Sequence, residues 1–415
     1  MQFYSNKKSI VTSTIYYFQI KRMKKRKILL LIVLILTVGV TWIIEPLSFN
    51  PFSQVEIPEA KSEIDFSCKE PHLAVNNELE SKANEIINKH MASNNFLGVT
   101  AGLYIENCGT YLSGAGFTDK SDLKRTNSDM LGRIASITKP MTAIAIMQLY
   151  EKGMLDLDKP IQTYIKGFPK KIKGDITIRH LLKHTSGISH YSSKWDALSF
   201  THYTALVDAL DAFKDNDLNF EPGTQFMYSS YGYTVLGAII EKVSQMSYGE
   251  YMRKNIWDKA GMSNTSLEVD EQKYSNKSRL YLKVGSTYIK SPNTDLSVIY
   301  PAGGVQSTAK DLLKFGEAVL HNKLIKSSTL EMMINETDEL APSIGDDPYG
   351  FGWAVYDDPK YGKIIQHGGS QPGTSSFFSI FLDHKMVSVV LSNSFGTRQN
   401  AFYLSRDIAH LALEE

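Results

Sequence analysis

The sequence predicts an α/β (α+β) fold: one antiparallel sheet built from both chain ends, flanked by helices, with a mostly helical lobe inserted between them. Strand-like segments gather at the two ends of a region running from about residue 77 to the end of the chain, while helical periodicity broken by polar loops fills its interior. Ahead of it, a charge-free apolar run from Ile28 to Ile44 adds one expected N-terminal transmembrane helix.

From the N-terminus, Lys21, Arg22, Lys24, Lys25, Arg26 and Lys27 precede the apolar run. Basic residues on that side predict a cytoplasmic segment (1–27), an anchor (28–44) and an extracytoplasmic remainder, in a periplasm or at a cell surface. A cleaved signal peptide is the competing reading, but Trp42-Ile43-Ile44-Glu45-Pro46 offers no small-residue cleavage site. A signal-anchor begins cleanly at Met23, so translation is expected to start there.

Residues 45–76 are rich in Pro, Ser and Glu without a sustained period, which predicts a linker. A helix from about Asn77 to Met91 and a strand from Val99 to Ile105 follow. The turn Asn107-Cys108-Gly109 and the short Thr110-Tyr111-Leu112 complete a hairpin. The next strong helix runs from Ser136 to Lys152, where Gly153 stops it. Helices are expected at 177–183, 231–243 and 308–321, strands at 351–356, 363–366, 377–382 and 387–392, and a closing helix at 405–413. The main domain is therefore read as 77–415.

Composition narrows the function classes. The chain has 45 basic and 44 acidic residues, a net charge of +1, which gives no support for a nucleic-acid partner. Only Cys68 and Cys108 occur, too few for a disulfide framework or a zinc site. One bridge is permitted in an oxidising compartment, and two unrelated thiols are the alternative. His180 and His184 have the i, i+4 spacing of zinc ligands without a third ligand or a general-base Glu, so they are read as structural and no metal is expected. Asp156 and Asp158 read as a turn and a helix cap.

Ser136-Ile137-Thr138-Lys139 is the first chemical candidate. Ser-x-x-Lys is weak by itself, since Ser5–Lys8, Ser121–Lys124 and Ser307–Lys310 share the spacing. Only Ser136 opens a strongly apolar helix, Met141 to Tyr150, with Pro140 where early-turn donors are still unpaired. Positions i and i+3 share a helix face, so hydroxyl and amine point into one pocket. A serine hydroxyl needs a neighbouring base to become a nucleophile. Lysine, with an ordinary pKa of about 10.4, serves as one only if burial or nearby positive charge lowers that value. A capping serine beside a surface lysine is the bland alternative.

Further motifs point the same way. Glu221-Pro222-Gly223 leads to Tyr228-Ser229-Ser230 and then to a Tyr231-Gly232-Tyr233 helix, and His367-Gly368-Gly369-Ser370 ends an expected strand. With these the sequence resembles the serine β-lactamase and penicillin-binding-protein superfamily, in the branch of class C β-lactamases, D-alanyl-D-alanine carboxypeptidases and related esterases. The resemblance runs from about Glu78 to Leu413. It includes His180 to Gly187 and Pro301 to Thr308, and around Asp311 to Gly316 the chain is most similar to the mitochondrial β-lactamase-like serine protease and its bacterial relatives.

The resemblance implies Ser136 as nucleophile and Lys139 with Tyr228 as general base. It also implies the backbone amides of Ser136 and Ser370 as oxyanion hole, His367, Gly368, Gly369 and Ser230 as substrate-positioning residues, and no metal or organic cofactor. Tyr228 stands where the family has the tyrosine of Tyr-x-Asn, but Ser230 replaces the asparagine, which puts β-lactamase activity most in doubt. The literal matches Tyr274-Ser275-Asn276 and Tyr4-Ser5-Asn6 are decoys, because no apolar helix follows Tyr274 and both lie outside the motif's context. His367 stands in for the lysine of Lys-Thr-Gly; an imidazole titrates near neutrality, so the charge of the site is expected to depend on pH. Peptide, ester or cell-wall-derived substrates are expected, with carboxypeptidase, esterase and β-lactamase in falling order. The alternative from another class is a penicillin-binding sensor or a self-associating, filament-forming scaffold with little turnover.

Overall fold

In the computed structural model, strands from the two chain ends meet in one antiparallel sheet. The structure describes residues 57–66, 77–191, 199–269, 274–337 and 348–414. The expected anchor, the Met23 start and Cys68 lie outside them. Among the described residues no helix is long and apolar enough to cross a membrane. The main strands are β1 (Lys61–Phe66), β2 (Gly98–Ile105), β3 (Gly109–Asp119), β4 (Ala354–Asp358), β5 (Gly362–Gln371), β6 (Thr374–Phe381) and β7 (Met386–Ser392). Their spatial order is β1-β3-β2-β7-β6-β5-β4. The halves of the chain join where β7 pairs with β2, in register from Met386 opposite Ile105 to Ser392 opposite Val99.

Successive side chains on a strand point to opposite faces, and both faces of this sheet are covered. Val387, Val389 and Leu391 enter one apolar core with the lobe helices, while Met386 and Val390 enter the other. That other core includes residues of α1 (Asn77–Ala92) and of the closing helix α6 (Arg398–Glu414). Two-sided burial is why these strands read as continuous apolar runs. On the lobe side, α2 (Thr138–Glu151) is buried from Thr138 to Leu149, so it is a central helix with no solvent stripe. The short α3 (Ile178–Leu182), α4 (Ser230–Ser244) and α5 (Ala309–Leu320) surround it or cap the sheet. A Cβ on Gly316 of α5 would meet Val387 at 2.6 Å, so the helix rides directly on the sheet.

Helix starts follow the caps visible in the sequence. Thr177 caps α3 through the His180 amide, and Thr308 caps α5 through the Asp311 amide. The His180 ring nitrogen Nδ1 in turn accepts from the Thr177 amide at 3.3 Å, a structural role. Asp156 accepts from the Asp158 amide, and Asp158 binds Arg179 at 2.7 and 2.9 Å, so neither is a catalytic carboxylate.

Four elements differ from expectation. Lys61–Phe66, inside the stretch read as a linker, pairs with β3 as an edge strand; its Lys61, Glu63 and Ile64 are exposed, so it carries little apolar signal. Strand β5 does not end at Gln366 but continues to Gln371, so His367-Gly368-Gly369-Ser370 lies within a paired strand. Residues 351–353 form a turn with Gly352 at φ +83°. Helix α6 starts at Arg398, because its polar first turn has no periodicity to read. Cys108 is disulfide-bonded.

A buried ionic network fixes the approach to α2. The Arg133 guanidinium donates to Glu268 at 2.6 Å, to Thr294 Oγ1 at 3.2 Å and to Pro372 O at 2.8 Å, and Lys277 binds Glu268 at 2.8 Å. Removing one partner of a buried pair strands the others. Glu268→Gln is expected to lower the unfolding free energy by about 3–5 kcal/mol, read as a lower urea midpoint at unchanged slope; an unshifted midpoint refutes the role given to this network.

Candidate active site

Residues Gly132–Arg133 pair with the short strand Val305–Ser307, and the Ile134 amide donates to Val305 O at 3.1 Å. Ala135 then adopts φ +48°, a left-handed conformation costing a residue with a Cβ about 1–2 kcal/mol. This bend delivers Ser136 in a single 3-10 turn, Ala135–Ile137, directly before α2. The bend is tied to the sheet. Thr374 Oγ1 donates to Arg133 O at 2.7 Å and Ser376 Oγ donates to Ile134 O at 2.9 Å. A Cβ at Gly369 would stand 2.4 Å from Ile134 O, so only glycine lets β5 come this close.

Lys139 lies one turn after Ser136, in the first turn of α2, and is fully buried. Its Nζ stands 3.2 Å from Ser136 Oγ, 3.4 Å from Ser230 Oγ and 2.9 Å from Ala302 O. These partners are all uncharged, and burial holds the amine well below its ordinary range. A neutral amine has a lone pair, which suits it to take the proton of the Ser136 hydroxyl.

Tyr228 closes the site from the other side. Its phenol is hydrogen-bonded to Ser136, its ring centroid is 4.6 Å from Lys139 Nζ, and burial raises its pKa. It is a neutral phenol, able to pass a proton but poorly suited to hold a charge. Ser230 begins α4 and stands between Lys139 and Tyr191, to which its hydroxyl is bonded. The structure thus brings Ser136, Lys139, Tyr228 and Ser230 together. The decoy lysine Lys124 instead reaches Ser275 O at 2.6 Å.

His367 is beside this cluster, its ring centroid 6.3 Å from that of Tyr228, but its chemistry differs from expectation. Nδ1 lies 2.8 Å from Gly368 O, which can only accept, so Nδ1 carries the proton. Nε2 is 3.0 Å from the Tyr349 hydroxyl and accepts from it. Both nitrogens are engaged within the protein, and burial pushes the pKa down to about 3. The expected charge switch near neutrality is therefore absent at this histidine. The cation at this end is Arg398, at the start of α6, whose Nε would lie 3.2 Å from a Cβ on Gly368.

Three other side chains were not legible as site residues. His190 Nδ1 accepts from the Ser230 amide at 3.1 Å, so its proton is on Nε2, and burial keeps it neutral with a pKa of about 4. His184 Nδ1 accepts from the Ser229 amide at 3.1 Å, and its ring lies 4.3 Å from that of Tyr228. Its buried Nε2 has no hydrogen-bond partner among the described residues. Tyr349 anchors His367. The signal for both histidines was their place in the loop His184 to Tyr191 ahead of the lobe; Arg398 and Tyr349 carried none. Among the described residues no three His, Cys, Asp or Glu side chains are grouped to hold a metal.

A serine and a desolvated lysine on one helical turn, capped by a tyrosine and set against a sheet edge, are a site of the β-lactamase type. The family model described as Beta-lactamase matches residues 83–413, so this chain belongs to the β-lactamase family. It is 32% identical over 302 residues to Penicillin-binding protein 4* of Bacillus subtilis, covering 67% of this chain and 63% of that protein. It is 30% identical over 292 residues to the human Serine beta-lactamase-like protein LACTB, mitochondrial, covering 54% of this chain and 53% of that one. The chain thus spans between about half and two thirds of these relatives. Among solved structures it is similar to an octameric penicillin-binding protein homologue from Pyrococcus abyssi, at 25% identity and a TM-score of 0.70, over 80% of this chain and 77% of that one. The fold is also shared with EstCE1, a hydrolase with promiscuous acyltransferase activity, at 21% identity and a TM-score of 0.71, over 80% and 99% of the two chains.

The buried histidines set the sign of a pH effect on stability. His367 is neutral when folded and titrates near 6.5 when unfolded, so below that value the unfolded chain binds more protons and stability falls as pH falls. The loss is about 1.4 kcal/mol per pH unit between about 6.5 and about 3, and His184 and His190 act in the same direction. Urea midpoints are expected to drop from about pH 7.5 to about pH 5, with a shallower drop in His367→Asn; equal midpoints contradict the neutral, buried assignment.

Proposed function

We propose that this chain is a membrane-anchored, extracytoplasmic serine hydrolase that forms an acyl-enzyme at Ser136 on peptide or ester substrates. The observation that carries this reading is the Lys139 amine, fully buried, without a charged partner among the described residues and 3.2 Å from Ser136 Oγ. Ser136 attacks the carbonyl as Lys139 accepts its proton, and the phenol of Tyr228 relays that proton to the leaving group. The backbone amides of Ser136 and Ser370 hold the oxyanion. Water, activated at the same Lys139–Tyr228 pair, then releases the acyl group.

Substrate positioning falls to groups around Ser230. The Nε2–H of neutral His190 supplies a donor close to where the family's asparagine amide is missing, and His367 acts as a neutral prop for β5 through Tyr349. Arg398 offers the positive charge at this end, which favours substrates carrying a carboxylate. A D-amino acid amidase from Ochrobactrum anthropi shares the fold, at 24% identity and a TM-score of 0.70, which keeps amides in view beside esters. β-Lactam hydrolysis ranks last because Ser230 offers a hydroxyl where an amide donor and acceptor are expected. The anchor at 28–44 rests on the apolar run behind its basic cluster, and recovery of the native protein in the soluble fraction argues against it. One similar structure is octameric; light scattering of the purified domain tests self-association here.

Wild-type protein is expected to label with a fluorophosphonate probe, Ser136→Ala not to label, and Lys139→Ala to label about 10²–10⁴-fold more slowly. Fluorophosphonate labelling without penicillin labelling favours an esterase or general peptidase; penicillin labelling with fast release restores a β-lactamase. Folded wild-type protein that reacts with neither probe refutes the enzyme and favours a scaffold.

A further inference from the structure

We propose that the cavity between α6 and the sheet is a subsite for an uncharged aliphatic or aromatic group of the substrate, and this rests on Ser136 being the acylated nucleophile. The cavity holds about 700 Å³, within the range of roughly 300–1,000 Å³ usual for small-molecule sites. Its floor is the α1/α6 face of the sheet, where Ile364, Phe377 and Phe381 point, and its roof is α6 with Phe402. Phe402 remains only partly buried and Tyr403 is exposed, so apolar surface that could have closed into core stays open.

His367 and Tyr349 form a wall shared by the cavity and the catalytic centre, and this points to part of the substrate as the occupant. Strand β4 ends at Ala354, opposite Gln366, so beyond that point β5 is not covered by β4. The cavity reaches His367 and Tyr349 at this end of the strand, two of the residues whose rings pack against Tyr228. Gly368 forms the threshold. A side chain there would press on the Arg398 guanidinium at 3.2 Å and on the Phe377 ring at 3.4 Å. Glycine at this position therefore keeps the space between β5 and the start of α6 clear.

Charge narrows the ligand further. Arg398 stands at the threshold, and Arg406 lies deeper with its guanidinium 5.6 Å from the Phe402 ring centre and 3.6 Å from Asp358. With Arg406 balanced by Asp358, the charge of Arg398 at the threshold disfavours a substrate amine and tolerates a neutral group. The subsite thus selects substrates whose reacting carbonyl carries a medium-length alkyl chain or an aryl group on one side.

Straight-chain alkylboronic acids test this, because boron accepts the Ser136 oxygen and leaves the alkyl chain to find its own subsite. Inhibition of short-ester hydrolysis by the full chain is measured from methyl- to octylboronic acid. The inhibition constant is expected to fall by up to about fourfold per buried methylene, and an aminoalkyl analogue of equal length to lose that gain. Gln399→Trp, on the exposed side of α6 at the cavity, and Ser379→Phe, inside it, are expected to flatten the series while leaving the methylboronic value unchanged. A flat wild-type series with methylboronic acid still inhibiting overturns the subsite alone, as does a steep series unaltered in both folded variants. Failure of every boronic acid, with no fluorophosphonate labelling, overturns the nucleophile and the subsite with it.

Discussion

A fully buried amine, with no charged partner among the described residues, is the constraint around which this molecule is arranged. Lys139 sits wholly inside, and its three partners are two hydroxyls and a carbonyl. An ammonium would be expensive there, so the neutral form is favoured, and with it a lone pair next to Ser136. The surroundings keep the same character. Tyr228, His184, His190 and His367 are all held neutral by burial, so no neighbouring charge restores the lysine to its ordinary state. A family member with lysine in place of His367 would add a positive charge; this chain has an imidazole locked between Tyr349 and its own backbone.

Holding that arrangement in place falls to the backbone before Ser136. The bend at Ala135 is unfavourable by itself and persists because its flanking carbonyls are claimed by Thr374 and Ser376 and its entry is clamped by Arg133. The ionic network is remote from the chemistry yet fixes both the serine turn and the β5–β6 hairpin, since Arg133 reaches Pro372 O. Stability and site geometry therefore share the same few bonds.

Much of this was legible in the sequence wherever signals were local. Ser136 and Lys139 lie three residues apart on an apolar helix, and Tyr228 and Ser230 lie between a Pro-Gly turn and another such helix. The C-terminal strands were visible because both of their faces are apolar. Features that depend on distant partners were not. The state of His367 is set by Tyr349, which is remote from it in sequence pattern and hidden in an irregular segment. Arg398 follows a turn with no motif, and His190 acquires meaning only when its loop folds against Ser230. Strand β1 was hidden by the polar side chains that suit an exposed edge.

The pairing of β7 with β2 has a consequence for how the chain reaches this state. Ile105 and Met386 are partners, and the entire helical lobe is made between them. A ribosome releases β2 and β3 long before the strand that must lie beside them exists, so the early hairpin waits with one long hydrogen-bonding edge unfilled. Contacts of such sequence separation form slowly. The sheet is therefore completed only once the last strands exist, and the serine turn, stitched to β6, gains that anchor at the same late stage.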